Sequence, residues 1–255
     1  MGAEFTLTEC IDCVNEPRPS STQNKSLVLL AFSKQYGALR NRQYPTDEKY
    51  LVRLPTRMST AAILAGGQAR RFNGHQKPLL PLGHQRIVDH LLDVLATVVD
   101  NIFVVANDQK QYKTCNVPII RDIRTNLGPI GGVYTALSHC ESNQLLIIAG
   151  DMPFLSSEFL RYLLKQGQHT EIAIPRTADG YQPLCASYHQ SCADIIASRI
   201  ERHSLKITNL LSDIPHYEVS EDKMMEFDKT GSMFLNINTP ADYARALSLA
   251  AYHAL

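Results

Sequence analysis

Between Leu64 and Lys77 the chain reads LAGGQARRFNGHQK. An apolar run empties straight into the paired glycines Gly66 and Gly67, the arginines Arg70 and Arg71, and Lys77. Glycines let backbone N–H groups approach an anion without a Cβ in the way. Arg71 and Lys77 offset phosphate charge, the first as a planar fork and the second as a point charge. Downstream, Asn107, Asp122 and Asp151 each close an apolar run of their own. Asp151 offers the oxygen ligands that a hard ion such as Mg²⁺ prefers. An amide-rich loop with cations, one carboxamide and two carboxylates suits a nucleoside triphosphate with a divalent ion. Neither GxxxxGK[ST] nor GxGxxG is present, so this is not one of the two commonest phosphate loops.

The elements that must hold these residues alternate along the chain. Ala61–Leu64, Ile102–Asn107, Val117–Asp122, Gln144–Asp151 and Glu171–Pro175 read as strands. They are continuously apolar rather than alternating, which implies a sheet covered on both faces. Gln85–Val98 carries Ile87, Leu91, Leu92 and Leu95 on one helical face. Gly131–Cys140 reads as a helix opened by glycines, and Ser156–Gly167 as one with a serine cap, an early Glu158 and a terminal glycine. Pro183–Tyr188 reads as a further strand, open to an antiparallel return, and helices at Gln190–Arg202 and Pro240–Ala251 finish the unit. Strand–helix repetition predicts right-handed crossovers and an α/β fold, a Rossmann-like three-layer α/β/α arrangement with a mostly parallel sheet. In such sheets ligands bind beyond the carboxyl ends of the strands, where the strand order reverses. Gly66, Asn107, Asp122 and Asp151 all follow strand ends and are expected on that one rim.

The 255 residues are 44% hydrophobic with formal net charge zero. That supports a sizeable core and gives no support to a nucleic-acid or membrane-surface role. No apolar run approaches the ~20 residues of a membrane span. The N-terminal stretch does not read as a secretion signal, so a cytoplasmic location is expected. The six cysteines then read as reduced thiols, and the CxxC of Cys10 and Cys13 has no second pair with which to hold a metal. Residues 1–57 are polar and Pro-containing apart from Ser26–Phe32 and are expected to form a poorly ordered extension, with the folded domain over 58–255.

Leu64–Lys77 resembles the nucleotide-binding signature LAGG-x-[SA]-x-R-[MF]-x-G-x-D-K of the MobA-like nucleotidyltransferases, and within them of the molybdenum cofactor guanylyltransferases. The likeness continues in order through VVAN (Val104–Asn107), Arg121-Asp122, GPIGGV (Gly128–Val133), GDMPFL (Gly150–Leu155), QPLCASY (Gln182–Tyr188) and FLNINTPADYARA (Phe234–Ala246). It implies transfer of GMP from GTP to Mo-molybdopterin, with Mg²⁺ as cofactor, giving the guanine dinucleotide and pyrophosphate. It also implies that Leu64, Ala65, Gly66 and Gly67 hold the guanine nucleotide, that Lys77 meets its phosphates, and that Asn107 and Asp122 meet its nucleoside. By the same resemblance Asp151 is expected to take the metal, and Gln182, Asn236 and Asn238 are the candidates to face the pterin. Proteins that deliver molybdopterin and client molybdoenzymes are the implied partners. One position departs from the signature: Gln76 stands where the aspartate before the lysine is usual.

Each of these residues has a simpler alternative role. Gly66 and Gly67 suit a tight strand-to-helix turn, Asn107 a cap, Asp122 a partner for loop amides, and Asp151 a partner near Ser156. Asn236 and Asn238 suit a turn, with Thr239 and Pro240 opening a helix. The nine histidines show no metal-binding spacing, Cys185 and Cys192 read as buried unreactive thiols, and Met224-Met225 lies in a charged connector without a readable role. Two other functions compete: a cytidylyltransferase of the same superfamily, acting on molybdopterin or a sugar or polyol phosphate, and a catalytically silent nucleotide-binding adaptor for molybdoenzymes.

Overall fold

Short apolar segments joined through helices have one economical solution, a sheet with both faces covered. The computed structural model has that form and describes residues 59–66 and 76–252. The expected extension over 1–57 lies outside the described residues, as do Gly67, Arg70 and Arg71.

In chain order the strands are β1 (Thr60–Leu64), β2 (Pro81–Leu82), β3 (Gln85–Arg86), β4 (Asn101–Val105), β5 (Ile119–Ile120), β6 (Gln144–Ala149), β7 (Ile172–Thr177), β8 (Gly180–Tyr181), β9 (Cys185–His189) and β10 (His216–Val219). The helices are α1 (Ile87–Ala96), α2 (Pro129–His139), α3 (Ser157–Gly167), α4 (Cys192–Glu201), α5 (Glu221–Met225) and α6 (Pro240–Tyr252). The main sheet runs β10-β7-β9-β6-β1-β4-β5, with β8 attached to β7 and a separate β2-β3 hairpin. β1 pairs in parallel with both β4 and β6, β4 with β5, and β10 with β7. β9 runs antiparallel to β6 and β7, the return direction left open by the sequence.

The central strands alternate their side chains between two apolar layers. Ala61 and Ile63 of β1 join Leu146 and Ile148 of β6 in a core shared with Leu91 and Leu95 of α1, Phe159 and Leu163 of α3, and Ala246 of α6. Ala62 joins Leu145 and Ile147 on the opposite face, packed by Ile130 and Val133 of α2 and Ile196 of α4. The apolar face of α1 (Ile87, Val88, Leu91, Leu95) is fully buried. At roughly 1.5–3 kcal/mol per large apolar side chain, that face holds the helix to the sheet far more strongly than its intrinsic propensity could. Ser156 caps α3 by accepting from the Phe159 N–H. Met224 sits on α5 and is buried in the first core, a packing role where the sequence offered none.

Cys185 and Cys192 are free and buried. Burial pushes the Cys192 thiol up to about 12, so both side chains act as small apolar fillers. No helix among the described residues is long and apolar enough to cross a membrane.

Candidate functional site

The strand order reverses at β1, which has β4 on one side and β6 on the other. Everything carried past the carboxyl ends of these strands meets at that crevice. The backbones are stitched together there: Ala65 N–H donates to Val105 O (2.9 Å), Ala106 N–H to Ile120 O (2.8 Å) and Gly150 N–H to Leu64 O (3.0 Å). Asp151 therefore begins one residue from a direct bond to the strand that opens into Gly66. Gly150 is required by that closeness, since a Cβ there would stand 2.7 Å from Pro78 Cγ and 3.2 Å from Leu64 O.

Lys77 opens a short 3₁₀ turn, Lys77–Leu79, beneath this crossing. Its ammonium donates to Asp151 Oδ2 at 2.6 Å and to Asn238 Oδ1 at 2.8 Å. The Lys77 and Asp151 side chains are 26% and 19% exposed, half-buried yet within reach of a ligand. The C-terminal segment is fixed to the same point, because Ile237 N–H donates to Asp151 O at 3.0 Å. Asn238 is steadied by Asp242, which accepts from the N–H groups of Asn238 (3.0 Å) and Thr239 (2.8 Å). Thr239 Oγ1 accepts from Asp242 N–H in return, a reciprocal cap on the first turn of α6. Thr239 and Pro240 thus open the helix as the sequence suggested, while Asn238 reaches beyond the turn to the lysine.

Asn107 Nδ2 donates to Asp122 Oδ2 at 2.8 Å, binding the ends of β4 and β5. Asp108, not Asn107, caps the following 3₁₀ helix, Gln109–Cys115. Asp122 Oδ1 is shielded from solvent and has no hydrogen-bond partner among the described residues. A Cβ on Gly66 would lie 3.9 Å from Asp122 Oδ2, so glycine loop and carboxylate face each other across a narrow gap.

The strand ends enclose a cavity of about 670 Å³. Its wall includes Leu64, Ala65, Gly66, Lys77, Asn107, Asp122 and Asp151, seven of the residues singled out from the sequence. Gln76 lines it too. Gln182 and Asn236 are placed differently. Gln182 donates to Thr177 Oγ1 at 2.9 Å within the β7–β8 turn, and Asn236 donates to Phe234 O at 3.2 Å in a local turn. Gly67 and Arg71 lie outside the described residues.

The wall also holds residues that sequence reasoning did not place in the site. Gly128 and Pro129 bring the start of α2 to the cavity, Gly128 with φ of +68°. The free N–H groups and positive dipole end of a helix favour anions there. The segment GPIGGV (Gly128–Val133) was the available signal. Tyr112 lines the cavity as well, from inside the polar stretch Gln109–Cys115, where nothing local marks it.

A family described as the MobA-like NTP transferase domain matches residues 61–214. A probable molybdenum cofactor guanylyltransferase from Clostridium perfringens is 31% identical over 186 residues, covering 72% of this chain and 93% of that protein. The crystal structure of molybdopterin-guanine dinucleotide biosynthesis protein A from Archaeoglobus fulgidus is 30% identical, with a TM-score of 0.67 over 76% of this chain and 99% of that one. A 4-diphosphocytidyl-2C-methyl-D-erythritol synthase from Anaerococcus prevotii, at 14% identity and a TM-score of 0.56 over 76% of this chain and 96% of its own, shares the fold. The matched segment ends before Asn238, yet Asn238 bonds Lys77 inside it.

Proposed function

The chain belongs to the MobA-like NTP transferase family, and from that premise we propose that it transfers GMP from GTP to Mo-molybdopterin, producing Mo-molybdopterin guanine dinucleotide and pyrophosphate. The observation that carries this reading is the meeting of Gly66, Asn107, Asp122, Lys77 and Asp151 on one cavity at the strand-order reversal. Relatives named as molybdenum cofactor guanylyltransferases support the choice of guanine and pterin.

The reaction asks little covalent chemistry of the protein. An oxygen of the pterin's terminal phosphate attacks the α-phosphorus of GTP, and the bond from the α-phosphorus to the bridging oxygen breaks, releasing pyrophosphate. A phosphate monoester is already ionised at neutral pH, so no general base is needed. Positioning and charge neutralisation supply the acceleration. The Gly66 loop and the opening turn of α2 present N–H groups to the nucleotide. Asn107 and Asp122 hold its nucleoside part, and Lys77, aimed by Asn238, neutralises phosphate charge. Arg71 is proposed as a second cation on the same phosphates.

The residues present fit a Mg²⁺ ion. Asp151 uses Oδ2 for Lys77, lines the cavity, and has a second carboxylate oxygen to offer an ion. Mg²⁺ is ordinarily held by one or two carboxylates together with substrate phosphates and waters. Asp151 would hold the ion, which supplies neutralisation of charge on the phosphate oxygens. Gln182, Asn236 and Asn238 are proposed on the pterin side, and client molybdoenzymes as recipients of the product. Incubation with GTP, Mg²⁺ and Mo-molybdopterin, followed by mass spectrometry, tests the reading. The guanine dinucleotide is the expected product, and unchanged pterin would overturn it.

A further inference from the structure

Tyr112 is a large side chain only 1% exposed, yet it forms part of the cavity wall. Its phenol donates to Ala65 O at 3.3 Å. Ala65 joins β1 to Gly66, and its own N–H is already fixed to Val105 O at 2.9 Å. The peptide that follows, from Ala65 to Gly66, is planar with C=O and N–H pointing in opposite directions. Whatever holds the Ala65 carbonyl therefore also sets the direction of the Gly66 N–H. Glycine itself restrains this peptide little, and among the described residues it is the Tyr112 phenol that holds its carbonyl.

The support behind Tyr112 is rigid. Its 3₁₀ helix is capped by Asp108, which accepts from Lys110 N–H at 3.2 Å and Gln111 Nε2 at 2.6 Å. Gln109 Nε2 donates to Ile119 O at 2.7 Å, tying the helix to β5. At its far end Cys115 meets Arg86 at 3.8 Å, and Arg86 is gripped by Asp89 through two bonds of 2.6 Å at the start of α1. Burial also pushes the phenol's ionisation well above its ordinary value, so the hydroxyl remains a donor at any working pH.

We propose that Tyr112 is a positioning residue of the nucleotide site, whose phenol braces the Ala65 carbonyl so that the Gly66 N–H is presented to the bound nucleoside triphosphate. This rests on the nucleotide-binding reading above. Tyr112→Phe keeps the ring that fills the wall and removes only the hydroxyl.

The experiment measures GTP affinity with Mg²⁺ by calorimetry, melting temperature, and KM and kcat for the wild type and Tyr112→Phe. Val88→Ala, in the buried face of α1, serves as a control for general loss of stability. The expected result is roughly tenfold weaker GTP binding and a matching rise in KM with kcat largely retained in Tyr112→Phe, while Val88→Ala lowers the melting temperature with GTP affinity kept. Wild-type GTP affinity in Tyr112→Phe would overturn the proposal, as would equal weakening in Val88→Ala. Failure of the wild type itself to bind GTP would instead overturn the nucleotide reading on which the proposal stands.

Discussion

The Lys77 ammonium and the Asp151 carboxylate meet at 2.6 Å, although 74 positions separate them in the chain. The pair is mostly buried, its side chains 26% and 19% exposed, so its desolvation cost offsets much of the attraction. Its value lies in placing a cation and a metal-binding carboxylate side by side. Asp151→Asn should therefore lower the melting temperature somewhat, because the Lys77 ammonium loses its counter-charge, and lower turnover by at least about 10²-fold, far beyond what the lost stability explains. Pyrophosphate release read beside a thermal melt checks this, and substantial Mg²⁺-dependent turnover in the variant would remove Asp151 from its assigned role.

Asn238 offers the second acceptor to Lys77, at 2.8 Å. Asn238→Ala should lower kcat/KM roughly tenfold, the effect of losing one hydrogen bond to a charged group. Asn238→Asp keeps an acceptor but adds a negative charge facing the triphosphate, and should raise the KM for GTP. Steady-state kinetics on both variants separates aiming from charge. Equal KM values in wild type and Asn238→Asp would speak against Lys77 meeting phosphate.

Gly150 leaves no room for a methyl group, with Pro78 Cγ at 2.7 Å from the position of a Cβ. Pro78 follows Lys77, so relief of the clash would move the lysine turn. Gly150→Ala is expected to cost about 1–3 kcal/mol and to lower activity beyond what the lost stability explains. A variant with wild-type melting temperature and turnover would show that the strand end and the lysine turn are not packed as described.

Asp228 holds the loop that leads into Phe234–Asn238. Its Oδ1 accepts from Thr230 N–H (2.9 Å), Thr230 Oγ1 (2.5 Å) and Gly231 N–H (3.1 Å), and its Oδ2 accepts from Met233 N–H (2.6 Å). Burial works to raise its ionisation, and these donors outweigh burial and hold the carboxyl below its usual range. A depressed folded value means the contribution is complete above the unfolded value of about 3.9 and is lost as pH falls through the folded value. The stability gap between wild type and Asp228→Asn should thus be widest near neutrality and narrow as pH drops below about 4. Chemical denaturation between pH 7 and pH 3 measures it, and a constant gap would contradict the assignment.

Much of this was legible because strand ends announce themselves. The runs before Gly66, Asn107 and Asp151 are apolar on both faces, and in a parallel sheet their carboxyl ends must share a rim. β10 was not legible, since Tyr217 and Glu218 at the sheet edge are exposed and leave no apolar run. Tyr112 was hidden because its partner, Ala65, is 47 residues away and its neighbours are polar. The bond between Asn238 and Lys77 spans 161 positions, which no local pattern encodes. Gln76, by contrast, was visible at once as a departure from the usual aspartate, and it stands at the cavity wall beside Lys77.

Pyrophosphate release from GTP, CTP, ATP and UTP, each with Mg²⁺ and Mo-molybdopterin, tests most directly whether this rim is a guanylyl-transfer site. Release with GTP alone, abolished in Asp151→Asn, is the predicted result. Equal release with CTP, or none with any nucleotide, would contradict it.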